Sequence, residues 1–343
     1  MKLVIFSGAG LSMPSGIPGY ERLKETPIYD AISQADDPTF LSLVKSTYEQ
    51  YSDCQPNKAH NECKQLEKYC EILGIDYVHY TLNVDTLLEQ AGADVEHLYG
   101  CMNDPESLVC RRHFPAESFI NMQWDPGDIL LVLGVSDSGA PLAFIENKVS
   151  EAGAVFKNYN IAPNPGLQTQ TIMGNIVETF SAVDALSIVF SEFDIVDAGF
   201  AEFQVREFLI RDRRYETYFS PAKDTYTDLV EQQFIEKLVH HPLDQLVYEV
   251  KFDLSENREN ETIFARPHNN FDLEALNALG IVLAASVKAH QKLSGGEIYT
   301  ATAADIGLVR FYNRLAKKYA NQLNYDQWCG EGNEGLFYAF KKR

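Results

Sequence analysis

The chain has 343 residues and a formal net charge of −20 at pH 7; it is 45% hydrophobic, 12% aromatic and 23% charged. This length predicts about two domains, and the apolar share suffices for a core in each. An acidic surface repels nucleic-acid phosphates and anionic lipid, so neither nucleic acid nor a membrane is an expected partner.

The six cysteines, Cys54, Cys63, Cys70, Cys101, Cys110 and Cys329, include no C-x-x-C pair. A zinc knuckle and a compact disulfide framework are therefore not expected, and reduced thiols are. The first apolar run, Leu3 to Phe6, is too short for a signal peptide, and no stretch reads as a membrane span, which needs about 20 residues. The expectation is a cytoplasmic protein. The sequence leaves the oligomeric state open, a homo-oligomer included.

In chain order, LVIFSGAG (3 to 10) reads as a buried strand entering a glycine turn. A continuous apolar run suits a central parallel strand covered on both faces. Gly8 and Gly10 let a ligand approach the backbone, and the N–H groups of such a turn suit a pyrophosphate. The third glycine of a dinucleotide fingerprint is missing, for Met13 stands there. Further strands are predicted at 77 to 85, 128 to 136 and 154 to 160, with helices at 59 to 73 and 140 to 153 between them. This alternation predicts an α/β fold, a Rossmann-like doubly wound parallel sheet, with ligands beyond the carboxyl ends of its strands. GAGLS, TLNVD and GVSDS all fall at such ends.

Five stretches in order resemble the sirtuin (Sir2) family. They are GAGLSMPSGIPGYER (8 to 22), QPNKAHNECKQLE (55 to 67), TLNVDTLLEQAGADVEHLYG (81 to 100), GDILLVLGVSDSGAP (127 to 141), and the pair GAVFKNYN and IMGNIVETF (153 to 160, 172 to 180). The resemblance covers about residues 1 to 187. It implies NAD as cofactor, with Gly8, Ala9, Gly10 and Ser12 lining its pyrophosphate and ribose. Tyr20 stands as an aromatic wall over nicotinamide. By the same resemblance Asn83 positions the ribose and a water, Asp85 binds the carboxamide, Gly134 and Ser136 contact phosphate and ribose, and Asn160 holds the adenosine ribose. Asn83 and Asp85, two residues apart, share a side if the segment stays extended.

The departures from the family pattern are specific. Its PDFR reads Pro18, Gly19, Tyr20, Glu21, with Arg22 next; its TQN reads Thr81, Leu82, Asn83; its four zinc cysteines are absent. Cys101 and Cys110, even with His113, do not complete a tetrahedral set, so no metal is expected. The family's LHG histidine, which takes a proton from a ribose hydroxyl during deacylation, is Tyr99 in HLYG. A phenol with an ordinary pKa near 10 is a poor base at neutral pH. His97, on the same side of an extended strand about 6.5–7 Å away, is the substitute candidate.

Residues 188 to 343 are expected to form a C-terminal α/β domain. Strands are predicted at 246 to 254 and 297 to 303, a buried helix at 271 to 293, and an amphipathic helix at 305 to 323 carrying Leu308, Phe311, Tyr312, Leu315 and Tyr319 at helical spacing. A final strand comes last, in GLFYAFKKR. This ending resembles an N-acetyltransferase domain, without the glycine loop that would hold coenzyme A.

The expected function is an NAD-consuming enzyme that cleaves the nicotinamide–ribose bond, as a glycohydrolase or ADP-ribosyltransferase, with water or a protein side chain as acceptor. Breaking that bond does not require the LHG base. The alternatives are an NAD-dependent lysine deacylase and a non-catalytic module that senses NAD or ADP-ribose.

Overall fold

The computed structural model describes the whole chain except residues 113–116, 137–138, 198, 200, 211–212, 245, 261, 263–271, 304 and 333–334. The chain divides into two compact units, Met1–Ala182 and Val183–Arg343. The boundary expected from sequence, at 187, falls inside the helix Ala182–Val189.

The first unit is built on β1 (Lys2–Ser7), β2 (Asp76–Thr81), β3 (Glu96–His97), β4 (Ile129–Leu133), β5 (Val155–Asn160) and β6 (Ile172–Met173). All its pairings are parallel, in the order β3-β2-β1-β4-β5-β6. The order reverses between β1 and β4, the strand-order switch where doubly wound sheets place their ligands. Leu3 to Phe6 and Leu130 to Leu133 have no exposed surface, as central strands covered on both faces require. Phe6 stacks on Phe119 with ring centroids 4.2 Å apart. Both glycine-bearing turns, after β1 and after β4, emerge at this reversal.

Three helices frame the ligand-binding end of the sheet or flank it: α1 (Ala9–Ser12), α2 (Lys58–Leu73) and α3 (Leu142–Glu151). Asn57 caps α2, its side chain accepting from the Ala59 and His60 N–H groups, while the His60 ring accepts from the Asn57 N–H. This reciprocal capping satisfies donors that a helix start leaves orphaned.

The second unit holds β7 (Asp194–Asp197), β8 (Glu202–Ile210), β9 (Arg213–Pro221), β10 (Val247–Leu254), β11 (Ile298–Ala303), β12 (Tyr325–Gly332) and β13 (Gly335–Lys342). They form one mixed sheet in the order β12-β13-β11-β10-β9-β8-β7. Only β10 and β11 run parallel, registered over Val247–Glu249 against Ile298–Thr300. Two helices, α4 (Leu273–Ser294) and α5 (Ile306–Leu323), occur in the same unit. By length and composition α4 is apolar enough to cross a membrane, which corrects the expectation that no such segment exists; 61% of its apolar window is buried within the fold. A core helix shows the same composition.

Candidate functional site

The turns after β1 and β4 cross in direct backbone contact. The Gly8 N–H donates to the Leu133 carbonyl and the Gly10 N–H to the Gly134 carbonyl, at 3.0 and 2.9 Å. A Cβ on Gly10 would lie 2.6 Å from the Gly134 Cα, and one on Gly134 would lie 2.6 Å from Gly10 backbone atoms. Gly134 also holds φ +64°, which side-chain-bearing residues rarely adopt. Sequence reasoning assigned these glycines to ligand approach; here Gly10 and Gly134 are also required by each other. Ala9 follows Gly8 at the start of α1 and is partly exposed.

Ser12, at the end of α1, is fully buried and gathers the polar core of the site. Asn83 donates through Nδ2 to Ser12 Oγ at 3.1 Å. His60 Nε2 lies 3.3 Å from the same oxygen. Burial lowers the His60 pKa to about 4, so the ring is neutral at pH 7. Its Nδ1 accepts from the Asn57 N–H at 3.2 Å, which places its proton on Nε2, pointing at Ser12. The Ser12 hydroxyl in turn bonds the Asp85 carboxylate. Asn57 also donates through Nδ2 to the Leu11 carbonyl and to Ser15 Oγ, at 2.9 and 3.0 Å. The start of α2 thereby clamps the whole 11–15 segment.

Asn83 and Asp85 do converge, but not by strand alternation, because β2 ends at Thr81. Ser12 brings them together instead. Below them, Thr81 Oγ1 accepts from the Asn83 N–H and from Ser7 Oγ, at 3.1 and 2.9 Å. His79 Nε2 lies 2.9 Å from Ser7 Oγ, and burial drops its pKa to about 3. Asp85 is 9% exposed. Burial raises its pKa above the usual carboxylate range, against the opposing pull of the Leu87 N–H, the Ser12 hydroxyl and the charge on His97.

Both ring nitrogens of His97, the substitute base expected from sequence, are engaged in hydrogen bonds. β3 ends at His97, so Tyr99 does not share a strand face with it. The His97 ring is buried, with Nδ1 2.6 Å from the Asn83 carbonyl and Nε2 2.7 Å from Glu89 Oε1. Burial opposes its charge, yet hydrogen bonds to Cys101, Glu89 and the Asn83 carbonyl, with the charge of Glu89, carry its pKa up to about 10. At neutral pH it is an imidazolium with both protons donated, and it holds the Asn83 backbone rather than a substrate.

Glu89, His97 and Cys101 bring their ligand-type atoms within 4.8 Å of one another. The carboxylate and the ring are 2.7 Å apart, closer than the roughly 3.3 Å between two ligands of a tetrahedral zinc with bonds of about 2.0–2.1 Å. This is the spacing of a hydrogen-bonded ion pair. His113 lies outside the described residues.

Tyr99 turns into a cleft of about 320 Å³, lined also by Phe6, Leu82, Phe119, Ala140 and Ile145. Half-burial raises its pKa above the ordinary phenol value, which removes it further from use as a base. Tyr20 packs edge-on against Tyr29 at 6.3 Å, under the Lys24 ammonium at 5.0 Å, and is close enough to Tyr99 for their charges to interact. Ser136 lies just past the glycine crossing, its carbonyl accepting from the Gly139 N–H at 2.9 Å. Asn160, at the end of β5, donates to the Val135 carbonyl at 3.0 Å and accepts from the Ile161 N–H at 2.8 Å. Asn164 donates to the same carbonyl at 3.1 Å. Sequence reasoning missed His60, Asn57 and Glu89 as parts of the site. Asn57 and His60 were legible as a capping pair; Glu89 carries no local signal.

No protein-family model matches the chain. It is 31% identical over 127 residues to an NAD-dependent protein deacetylase of Saccharolobus solfataricus, covering 35% of this chain and 50% of that protein. It is 33% identical over 125 residues to NAD-dependent protein deacylase 1 of Archaeoglobus fulgidus (34% of this chain, 49% of the relative), and 37% identical over 126 residues to NAD-dependent protein deacylase 4 of Pseudomonas syringae pv. tomato (34% and 47%). The chain thus spans about half the length of the curated relatives it matches. Among solved structures, a Sir2 homologue in complex with NAD aligns at a TM-score of 0.39 and 21% identity, covering 55% of this chain and 88% of that one. Over about a third of its length the chain is thus similar to NAD-dependent protein deacetylases and deacylases.

Proposed function

We propose that the first unit is an NAD-dependent enzyme whose first step breaks the nicotinamide–ribose bond. The observation that carries this is the buried convergence of Ser12, Asn83, Asp85 and His60 at the strand-order switch. Three polar groups ordered around the Ser12 hydroxyl, at the mouth of a doubly wound sheet, are a costly arrangement for a purely structural role. NAD brings the leaving nicotinamide and an electrophilic ribose carbon, on which positive charge develops.

This chain's residues supply position and electrostatics for that chemistry. Asp85 is the acceptor for a carboxamide N–H. Asn83, fixed by Ser12 on its side chain and by His97 on its carbonyl, orients the ribose and a nucleophile. Tyr99 lines the cleft, with Tyr20 close enough for their charges to interact. The turns at Gly8–Gly10 and Gly134–Ser136 are the place for the pyrophosphate and ribose.

The relatives, named as deacetylases and deacylases, favour an acylated lysine as acceptor over the hydrolysis or ADP-ribosyl transfer expected from sequence. Hydrolysis remains the second reading because a phenol, Tyr99, stands at the expected base position and both nitrogens of His97 are hydrogen-bonded. Both readings share the first step. Free nicotinamide is the readout, measured with NAD alone and with NAD plus an acetyl-lysine peptide. Release only with the peptide, together with loss of its acetyl group, establishes deacylation; equal release without it establishes hydrolysis.

A further inference from the structure

In the second unit β10 and β11 part company. They pair only over Val247–Glu249 and Ile298–Thr300, although β10 runs on to Leu254 and β11 to Ala303. Beyond the paired segment each bonds only its other neighbour, β9 or β13. At this divergence lies a cavity of about 640 Å³, its open mouth included, walled by Val250, Phe252 and Ala301 from the strands and by α4 and α5. The helices contribute small side chains where large ones would close the space: Gly280 and Ala284 from α4, Ala316 and Ala320 from α5. At Gly280 a Cβ would lie 2.7 Å from Leu315 Cδ2, so the helices touch there and cannot close further along.

The wall is almost wholly apolar, with no charged residue in the lining. Of its polar groups, the Tyr299 hydroxyl is committed to His290 Nδ1 at 2.9 Å, and the Thr300 hydroxyl donates to the Tyr248 carbonyl at 3.2 Å. Tyr325 is 1% exposed, and its hydroxyl has no hydrogen-bond partner among the described residues. A buried hydroxyl left unpaired is costly, and an apolar cavity with one convergent polar group is the usual anatomy of a small-molecule site.

We infer that the second unit binds a small neutral apolar molecule, a single aromatic ring or short alkyl chain bearing one hydrogen-bond acceptor, with that acceptor on the Tyr325 hydroxyl. No cation stands among the described lining residues, so a neutral buried end fits this wall better than a carboxylate or phosphate.

The test uses the full chain with toluene and benzyl alcohol as probes, their binding followed by ligand-observed NMR. Saturable binding of both is expected. Ala284→Phe fills the cavity and should weaken both at least tenfold, with the melting temperature unchanged or raised. Tyr325→Phe should weaken benzyl alcohol about two- to tenfold and leave toluene unchanged. Should Ala284→Phe fail to fold, Ala320→Leu narrows the same space and should weaken both probes in the same way. Absence of saturable binding, or undiminished binding to a folded, filled variant, overturns the site. Equal losses of both probes in Tyr325→Phe overturn the assignment of the acceptor.

Discussion

Asn83 is held from two sides, and the two sides differ in kind. On the Ser12 side, neutral groups converge on a hydroxyl together with one carboxyl: His60 with its proton on Nε2, the Asn83 amide, and Asp85. On the 96–101 side, a full ion pair of His97 and Glu89 grips the backbone carbonyl. The first side is polar and buried and lies at the carboxyl ends of the strands. The second is charged, closed and structural. What the sirtuin pattern leads one to expect for cleavage is present on the first side; the imidazole it leads one to expect for acyl transfer is absent from the second. The contrast teaches that a histidine near the right place is no substitute for one with a free nitrogen.

Four changes sharpen or break this contrast. The largest effect is expected at the crossing that supports the Ser12 side. Gly134→Val puts a branched side chain at positive φ against the Gly10 backbone. It should cost about 3 kcal/mol or more, read as a lowered denaturation midpoint or loss of soluble protein; a near-native midpoint would show that the turns move apart cheaply. Next, Asn83→Ala should lower nicotinamide release by about 10²-fold or beyond while the protein stays folded. A loss no greater than that of a surface variant removes Asn83 from the chemistry.

The third change is pH. His97 has its folded pKa raised to about 10 from an unfolded value near 6.5. Its contribution is therefore complete below about pH 6.5 and fades as pH rises toward 10. His60 is lowered to about 4, so its contribution is complete above about pH 6.5 and fades as pH falls toward 4. Denaturation midpoints across pH should decline on both flanks. His97→Gln should flatten the alkaline flank selectively, and an unchanged flank would refute the ion-pair reading. The smallest effect is expected from Tyr99→Phe, which keeps the ring in the cleft and removes one hydroxyl. Nicotinamide release should stay within about tenfold of the parent; its abolition in a folded protein would make the tyrosine catalytic.

Much of the first unit was legible because its strands are unbroken apolar runs, and a buried parallel strand has nothing else to be. β4 and β5 fall within the expected segments, and β1 starts one residue before its own, at Lys2. The 81–99 stretch misled for the opposite reason. A strand was expected to run on to residue 85 and another to carry His97 with Tyr99, yet β2 stops at Thr81 and β3 at His97, where hydrogen bonds with Ser12, Thr81 and Glu89 hold Asn83 and His97. Ser12 lies 71 residues from Asn83, and no local pattern announces a partner so distant in the chain. The state of His97 was illegible for the same reason, because it depends on Glu89 and on a backbone carbonyl. In the second unit the helices showed their periodicity, but a cavity is set by which small residues face each other, and that appears only once α4 and α5 are packed.

The central claim is that the Ser12 side is sufficient for cleavage of the nicotinamide bond without an imidazole base at residue 99. The most direct measurement is free nicotinamide released by the purified full chain from millimolar NAD, with and without an acetyl-lysine peptide, beside Asn83→Ala. The account predicts release by the parent in at least one condition and about 10²-fold less or lower from the variant. No release by a folded parent under either condition, or equal release by parent and Asn83→Ala, would contradict it.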